Sequence, residues 1–158
     1  MSMNMKRRVF LKGSMAASTL GLAVGAGLLA PQAVLAAWPK GAFEAKDVGG
    51  ALDGAMGASV SEASDDIKIK APDIAENGAV VPVTVSSGIE GAESIAILAE
   101  ANNSPLVAVF NMGAGAQAFA STRIKMGKTG NVIAVVKAGG KLHSARKSVK
   151  VTIGGCGG

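Results

Sequence analysis

A single thiol is the most reactive group in this sequence. Cys156 is the only cysteine of the 158 residues, and it lies in the run Gly154-Gly155-Cys156-Gly157-Gly158. A thiolate is a good nucleophile, and it forms covalent bonds to other sulfur atoms by exchange. With one cysteine, the chain cannot form an intramolecular disulfide. Cys156 is therefore the residue through which this protein could carry a group covalently, or bind another chain.

Other constellations that could do chemistry are scarce. His143 is the only histidine, so a histidine-based catalytic triad is nearly excluded. A copper or zinc site would need His143, Cys156 and methionines to come together, and their spacing in the sequence matches no metal-binding motif. We expect His143 to be an exposed strand residue and Asp65-Asp66 to form a turn. Gly113-Ala114-Gly115 lacks the strand-to-helix context of a phosphate loop. Met112 and Met126 are expected in the core.

The glycines around Cys156 predict a flexible tether. Ser148 to Ile153 alternates polar and apolar residues, which is typical of a half-buried strand, and the glycine run follows directly. Glycine has no Cβ and adopts most backbone conformations, and three residues beyond Ile153 extend at most about 10 Å. We therefore predict that residues 154–158 form a flexible arm that can place the thiol in another protein's pocket. A frayed terminus with an incidental cysteine is the simpler alternative.

The N-terminus has the pattern of an export signal. A basic segment containing the pair Arg7-Arg8 precedes an apolar, glycine-rich run over 13–30 and then Pro31 to Ala36. These are the three regions of a signal peptide, and the arginine pair followed by Phe-Leu-Lys resembles a twin-arginine signal. A membrane anchor is less favoured because glycines interrupt the run. We expect cleavage after Ala36, which leaves a carrier domain over 37–153, and location in the periplasm.

Charge is unevenly distributed along the remaining chain. The whole sequence has a net charge of +5, but four basic residues and no acidic residue lie in the expected signal. Nucleic-acid binding therefore loses its main support. Residues 37–100 contain four basic and eleven acidic residues, whereas 101–158 contain eight basic and no acidic residues. Solvated strand faces explain much of this pattern, and a basic region near the arm could also attract anions or acidic partners.

The patterning predicts an all-β domain with a short N-terminal helix. Helical spacing of apolar residues indicates a helix over Trp38–Ser59, which its glycines weaken; such a helix needs the domain or a partner to pack on. From Ile67 onward the apolar residues follow strand patterns and turn residues recur. About seven short strands predict an immunoglobulin-like β-sandwich. They are placed at 67–70, 80–85, 93–100, 106–110, 117–126, 132–137 and 142–153.

Three local sequences predict how strands are connected. Asn77-Gly78 and Gly139-Gly140 are typical of tight hairpin turns. Pro82 has no N–H to donate to a neighbouring strand, so its strand is predicted to be an edge strand or to contain a bulge. That edge, together with the uneven charge, favours a permanent partner subunit.

Several segments together resemble the SoxY family. They are the twin-arginine leader, Leu106-Val107-Ala108-Val109-Phe110-Asn111, Ser121-Thr122-Arg123-Ile124-Lys125, and above all Val149 to Gly158. SoxY proteins are the sulfur-compound carriers of the bacterial Sox thiosulfate-oxidation system. The likeness covers essentially the whole chain after the leader, and it is most specific in the last ten residues.

The resemblance implies a carrier without catalytic activity or a cofactor of its own. Thiosulfate-derived intermediates would be held covalently on Cys156, and the chain would pair with a small β-sandwich subunit, SoxZ. The resemblance further implies transient contact with a haem enzyme, SoxAX, that couples thiosulfate to the thiol, with a manganese hydrolase, SoxB, that releases sulfate, and in some systems with a sulfur dehydrogenase.

Two other functions are compatible with the sequence. A ubiquitin-like sulfur carrier would use the Gly158 carboxylate, but it needs ATP, which an exported protein would lack, and a stronger central helix. A structural sandwich would use Cys156 for an intermolecular disulfide. Intact mass of the native protein separates these alternatives from a thiol-bound carrier.

Overall fold

The computed structural model describes residues 39–152, which form two short helices and nine strands. The helices are α1 (Lys40–Glu44) and α2 (Val48–Met56). The strands are β1 (Glu62–Ala63), β2 (Ile67–Lys70), β3 (Ile74–Ala75), β4 (Val81–Ser87), β5 (Ala92–Ala99), β6 (Leu106–Asn111), β7 (Phe119–Ile124), β8 (Gly130–Ala138) and β9 (Lys141–Val151). Within these residues, no helix has the length and apolar character needed to span a membrane.

The strands form the two sheets of an immunoglobulin-like sandwich, as predicted. One sheet has the order β1-β9-β8-β5-β6, and β3 also pairs with β9; the other has the order β2-β4-β7. The chain crosses repeatedly between the sheets, as in immunoglobulin-like folds. The apolar side chains between the sheets are mainly valine, isoleucine and alanine, including Val83, Ile97 and Val136.

A second apolar layer lies on the other face of the larger sheet. Leu52 and Met56 of α2 pack with Leu98 of β5 and Ile133 and Val135 of β8. Strands β5 and β8 are consequently buried on both faces, which explains why they are nearly continuous apolar runs instead of alternating ones. The helical segment thus packs on its own domain, one of the two possibilities left open by the sequence.

The single helix predicted over Trp38–Ser59 is wrong in its extent. Ala45 has extended backbone angles and ends α1, and Asp47 starts α2 by accepting a hydrogen bond from the Gly50 N–H at 2.8 Å. A Cβ on Gly54 would lie 3.0 Å from the Cβ of Ala42. Gly54 therefore lets α1 and α2 pack closely, so this glycine supports the helical layer that it was expected to weaken.

The hairpin predicted at Gly139-Gly140 is confirmed. Both glycines have positive φ angles, 55° and 75°, which is the backbone of a type I′ turn. Ala138 of β8 pairs directly with Lys141 of β9 across this turn. The two strands then remain paired as far as Gly130 and Val149. This long hairpin fixes the register of the strand that ends before the predicted arm.

Two other predictions about strand connections are wrong. Asn77-Gly78 forms a turn, but β3 before it pairs with β9, whereas β4 after it pairs with β2 and β7. The turn therefore crosses between sheets. Strand β4 is the central strand of its sheet and not an edge, with no register shift opposite Pro82. Pro82 is tolerated because β2 ends at Lys70, opposite Thr84, so Pro82 has a partner strand on one side only.

Candidate functional site

The candidate site is the end of β9, from which residues 153–158 continue. Strand β9 has eleven residues, and the structure describes the chain as far as Thr152. Every residue predicted to form the arm or carry the adduct lies outside the described residues, as do Arg7 and Arg8 of the predicted export signal. The arm residues are Gly154, Gly155, Cys156, Gly157 and Gly158. What the structure describes is therefore the root of the predicted arm, the end of β9 from which residues 153–158 continue.

On one side, the root is held by a parallel strand of two residues. Ile74 and Ala75 of β3 pair with Lys150 and Val151. The Lys150 N–H donates to the Asp73 carbonyl at 2.9 Å, and the Thr152 N–H donates to the Ala75 carbonyl at 3.0 Å. These bonds extend the ordered backbone ladder to Thr152. A segment this short has no periodic pattern, so the sequence did not predict β3.

On the other side, a threonine side chain continues the ladder where β8 begins. The Val151 N–H donates to Thr129 Oγ1 at 2.9 Å, and the same hydroxyl donates to the Val151 carbonyl at 3.3 Å. A side-chain hydroxyl thus satisfies both backbone groups of Val151. The last described residues are held by hydrogen bonds on both edges, which gives any segment beyond them a fixed starting point.

An ion pair reinforces the β3 side of the root. Lys147 Nζ is 2.7 Å from Asp73 Oδ1. The hydrogen bond from Lys147 and its positive charge hold the pKa of the Asp73 carboxyl below its ordinary value. Asp73 is largely exposed, so the pair is weak, but it links the loop before β3 to the strand that carries the arm.

The length of the chain sets how far the thiol can extend from this root. Cys156 is four residues beyond Thr152, and an extended chain spans at most about 3.3–3.6 Å per residue, or roughly 14 Å here. His143 is nine residues before Thr152 on β9, a distance of about 30 Å along a strand. The thiol and the only imidazole therefore cannot meet in one chain.

His143 itself differs from its predicted environment. It is half-buried rather than exposed, because β1 lies against that edge of β9 and pairs Glu62 with His143. Asp65-Asp66 forms the predicted turn, and Met126 is buried with Met112 packed against the core. Among residues 39–152, no three histidine, cysteine or acidic side chains lie close enough to hold a metal ion.

The charge asymmetry is partly neutralised by folding. Asp73 pairs with Lys147, and Glu100 Oε1 lies 3.8 Å from Arg146 Nη1, so β9 brings together acidic and basic parts of the sequence. Lys125, Lys128 and Lys150 are exposed and have no carboxylate within ion-pair distance in the described part of the chain. These three lysines are uncompensated, whereas the acidic residues Asp73 and Glu76 flank β3 on the other side of the root.

Comparison with known proteins identifies relatives of this chain. The family described as "Sulfur oxidation protein SoxY" matches residues 53–156. A solved structure of the sulfur carrier protein SoxY from Chlorobium limicola f thiosulfatophilum is 48% identical, with a TM-score of 0.60; the match covers 65% of this chain and 94% of that one. A comparison with curated proteins gave no match.

Two variant structures of a superoxide reductase (neelaredoxin) from Ignicoccus hospitalis are more distant. The first is 22% identical, with a TM-score of 0.48 and coverage of 54% of this chain and 79% of that one. The second is 20% identical, with a TM-score of 0.47 and coverage of 65% of this chain and 86% of that one.

Proposed function

The chain belongs to the SoxY family of sulfur carrier proteins, and from this premise we propose that it holds thiosulfate-derived intermediates on Cys156. Two observations together carry the proposal. The chain has one thiol, and β9 is hydrogen-bonded on both edges near Thr152, which lies four residues before that thiol. In this role the protein is a covalent carrier and a substrate of pathway enzymes, and those enzymes supply the catalytic groups.

The chemistry assigned to Cys156 consists of two steps. In the first, thiosulfate bonds through its terminal sulfur to the Cys156 sulfur, one proton is released, and a haem enzyme of the SoxAX kind accepts two electrons. In the second, a hydrolase of the SoxB kind adds water across the bond between sulfur and the sulfonate group. Sulfate leaves, and a persulfide remains on Cys156, which a sulfur dehydrogenase can oxidise further. The thiolate is the reactive form in the first step.

A tethered thiol suits this sequence of reactions. Small soluble intermediates would diffuse away between enzymes, whereas a covalent tether raises their effective concentration at each docked enzyme. Glycines add no side chains that would clash with a narrow channel. The root at Thr152 supports this mode of action because it gives the tether a defined origin on the domain.

The test is thiosulfate oxidation reconstituted with wild-type and Cys156→Ser proteins. We expect a complete loss of oxidation for the variant, because a hydroxyl ionises far less readily than a thiol and cannot form the bond to sulfur. Wild-type protein whose thiol is blocked with iodoacetamide is the matched control and should be equally inactive. Intact mass should locate thiosulfonate and persulfide adducts on the wild-type protein only. Oxidation by Cys156→Ser at the wild-type rate would refute the carrier proposal.

We further propose that the protein is exported by the twin-arginine route to the periplasm and pairs there with a SoxZ-like subunit. The edge strand β6 supports such a pairing. Its six residues, Leu106–Asn111, carry no charge, and its outer edge has no strand partner among residues 39–152. An uncharged, unpaired edge is prone to unspecific association unless a partner covers it. A partner bound at β6 would bury on the order of 1,600 Å².

A charge placed on β6 tests this surface. Ala108 pairs with Ile97 and is half-buried, so Ala108→Lys adds a charge to the edge, a common device against edge pairing. Light scattering should show that the variant stays monomeric when a SoxZ-like subunit is added. Ser86→Lys adds the same charge to an exposed position of β4, in the other sheet, and should still form the heterodimer. A normal heterodimer with Ala108→Lys would exclude β6 as the interface.

A further inference from the structure

A polar cleft lies beside the root of the arm. It is formed by the loop between β5 and β6 and the loop between β7 and β8, and its volume is about 460 Å³. We call it the arm-side cleft; its lining includes Asn102, Asn103, Ser104, Lys125, Gly127 and Lys128. Two lysines and no carboxylate line it, so its charge favours an anion.

The walls of the arm-side cleft are fixed by one side chain. Asn102 Nδ2 donates to the Lys125 carbonyl at 2.7 Å, and Asn102 Oδ1 accepts from the Gly127 N–H at 2.9 Å. The two loops are therefore joined, and the cleft is present before any ligand binds.

Donors in the arm-side cleft are available to an incoming group. The side chains of Lys125 and Lys128 make no ion pair or hydrogen bond within residues 39–152. Nearby Glu100 does not line the cleft; its carboxylate lies 3.8 Å from Arg146 and accepts a hydrogen bond from Asn131 at 2.8 Å. The cleft thus presents two uncompensated cations together with the polar groups of Asn103 and Ser104.

The arm starts next to this cleft. Thr129, whose hydroxyl binds both backbone groups of Val151, directly follows Lys128. Cys156 is five residues beyond Val151, so its Cα can lie at most about 17 Å from that residue. Lys128 lines the cleft and adjoins Thr129, which contacts Val151, so this wall of the cleft lies within that limit.

We propose that the arm-side cleft binds the sulfonate group of the arm's own adduct, which rests on the function proposed above. A thiosulfonate on Cys156 carries a permanent negative charge and three acceptor oxygens, whereas a protonated thiol carries neither. Exposed charge pairs are weak, so docking is reversible and an enzyme can withdraw the arm. Hydrolysis of the adduct removes the sulfonate and with it the group that the cleft holds.

The experiment compares two chemically defined forms of the purified protein, with any partner subunit that copurifies. Tetrathionate reacts with the Cys156 thiolate to give the thiosulfonate adduct and one free thiosulfate ion, so loading needs no enzyme. Iodoacetamide gives a neutral adduct of the same thiol. Amide resonances of Asn103, Ser104 and Lys128 are compared between the two forms by nuclear magnetic resonance.

We expect these resonances to differ between the two forms, and the difference to disappear in Lys125→Gln/Lys128→Gln and at high salt, because salt screens exposed charges. Lys46→Gln/Lys141→Gln changes the net charge equally at exposed positions outside the cleft and should retain the difference. Sulfate added to the neutral adduct distinguishes a free oxyanion from the arm's own sulfonate. It should reproduce the shifts only at much higher concentration, because it lacks the tether.

Identical cleft resonances in the two forms would overturn the inference. So would free sulfate that causes the same shifts in the neutral adduct at a concentration no higher than that of the protein. These outcomes are separable from a failure of the carrier function. If Cys156 does not react with tetrathionate, the proposed function itself is wrong. If it reacts and the cleft does not respond, only the docking of the sulfonate is wrong.

Discussion

Gly78 shows how one residue can control the packing of the arm root. Its carbonyl accepts a hydrogen bond from the Met126 N–H at 2.7 Å. A Cβ at this position would overlap the Met126 carbonyl oxygen and lie 2.8 Å from Cγ1 of Val151. The absence of a side chain therefore permits the turn after β3 to contact both the loop after β7 and the end of β9.

We predict that Gly78→Ala destabilises the domain by about 1–3 kcal/mol, since the added methyl forces backbone to move in a packed region. The measurement is urea unfolding. Gly88→Ala is the matched control, because a Cβ there meets nothing within 4 Å, and it should change stability by no more than about 0.5 kcal/mol. Equal stabilities of the two variants would show that the contact at Gly78 relaxes freely.

The pairing of β3 with β9 holds one of the two edges of the arm root. Two residues of β3 give few backbone bonds, and short strands are stable only with further support. The ion pair between Asp73 and Lys147 supplies some of it, at 2.7 Å. This element should consequently respond to pH.

The direction of the pH effect follows from the lowered pKa of Asp73. A carboxyl whose pKa is lower in the folded state stabilises the fold above its unfolded-state pKa, near 4, and loses this contribution as the pH falls through the folded value. Asp73→Asn should therefore lower the unfolding midpoint slightly at pH 7 and low salt. At a pH below both values, the variant and the wild type should unfold alike.

Asp65→Asn is the control for this measurement. Asp65 lies in an exposed turn and makes no ion pair in the described part of the chain. Its replacement should leave the midpoint unchanged at both pH values. Equal midpoints of Asp73→Asn and the wild type at pH 7 would show that the ion pair does not stabilise the root.

At the scale of the whole molecule, the proposed role in the periplasm requires that the sandwich with its helical layer be exported. We predict that replacing both Arg7 and Arg8 with lysine traps uncleaved precursor in the cytoplasm, because the arginine pair is the feature that a twin-arginine signal requires. The measurement is fractionation followed by intact mass. The control is Lys6→Arg, a charge-conserving substitution next to the arginine pair that leaves the pair intact; this variant should be processed normally. Normal processing of the double variant would argue against this route.

The sequence by itself determined those features of the protein that depend only on residue type and local spacing. The strand from 67 to 70, the turn at Gly139-Gly140 and the all-β class follow from residue type and period-two spacing, which depend on neighbouring residues only. Cys156 stood out in the same way, because a lone thiol among glycines needs no fold to be noticed. The family match extends as far as residue 156, and the role of Cys156 stays a prediction.

Tertiary structure decided what depends on distant parts of the chain. Pro82 lies in a central strand because a neighbouring strand ends early, and β3 exists because β9 offers an edge to pair with. The single predicted helix became two, which lets Gly54 approach Ala42 closely. Asn102 and Lys125 are 23 residues apart and line one cleft only because folding brings their two loops together. No local sequence pattern predicts which loops will come into contact.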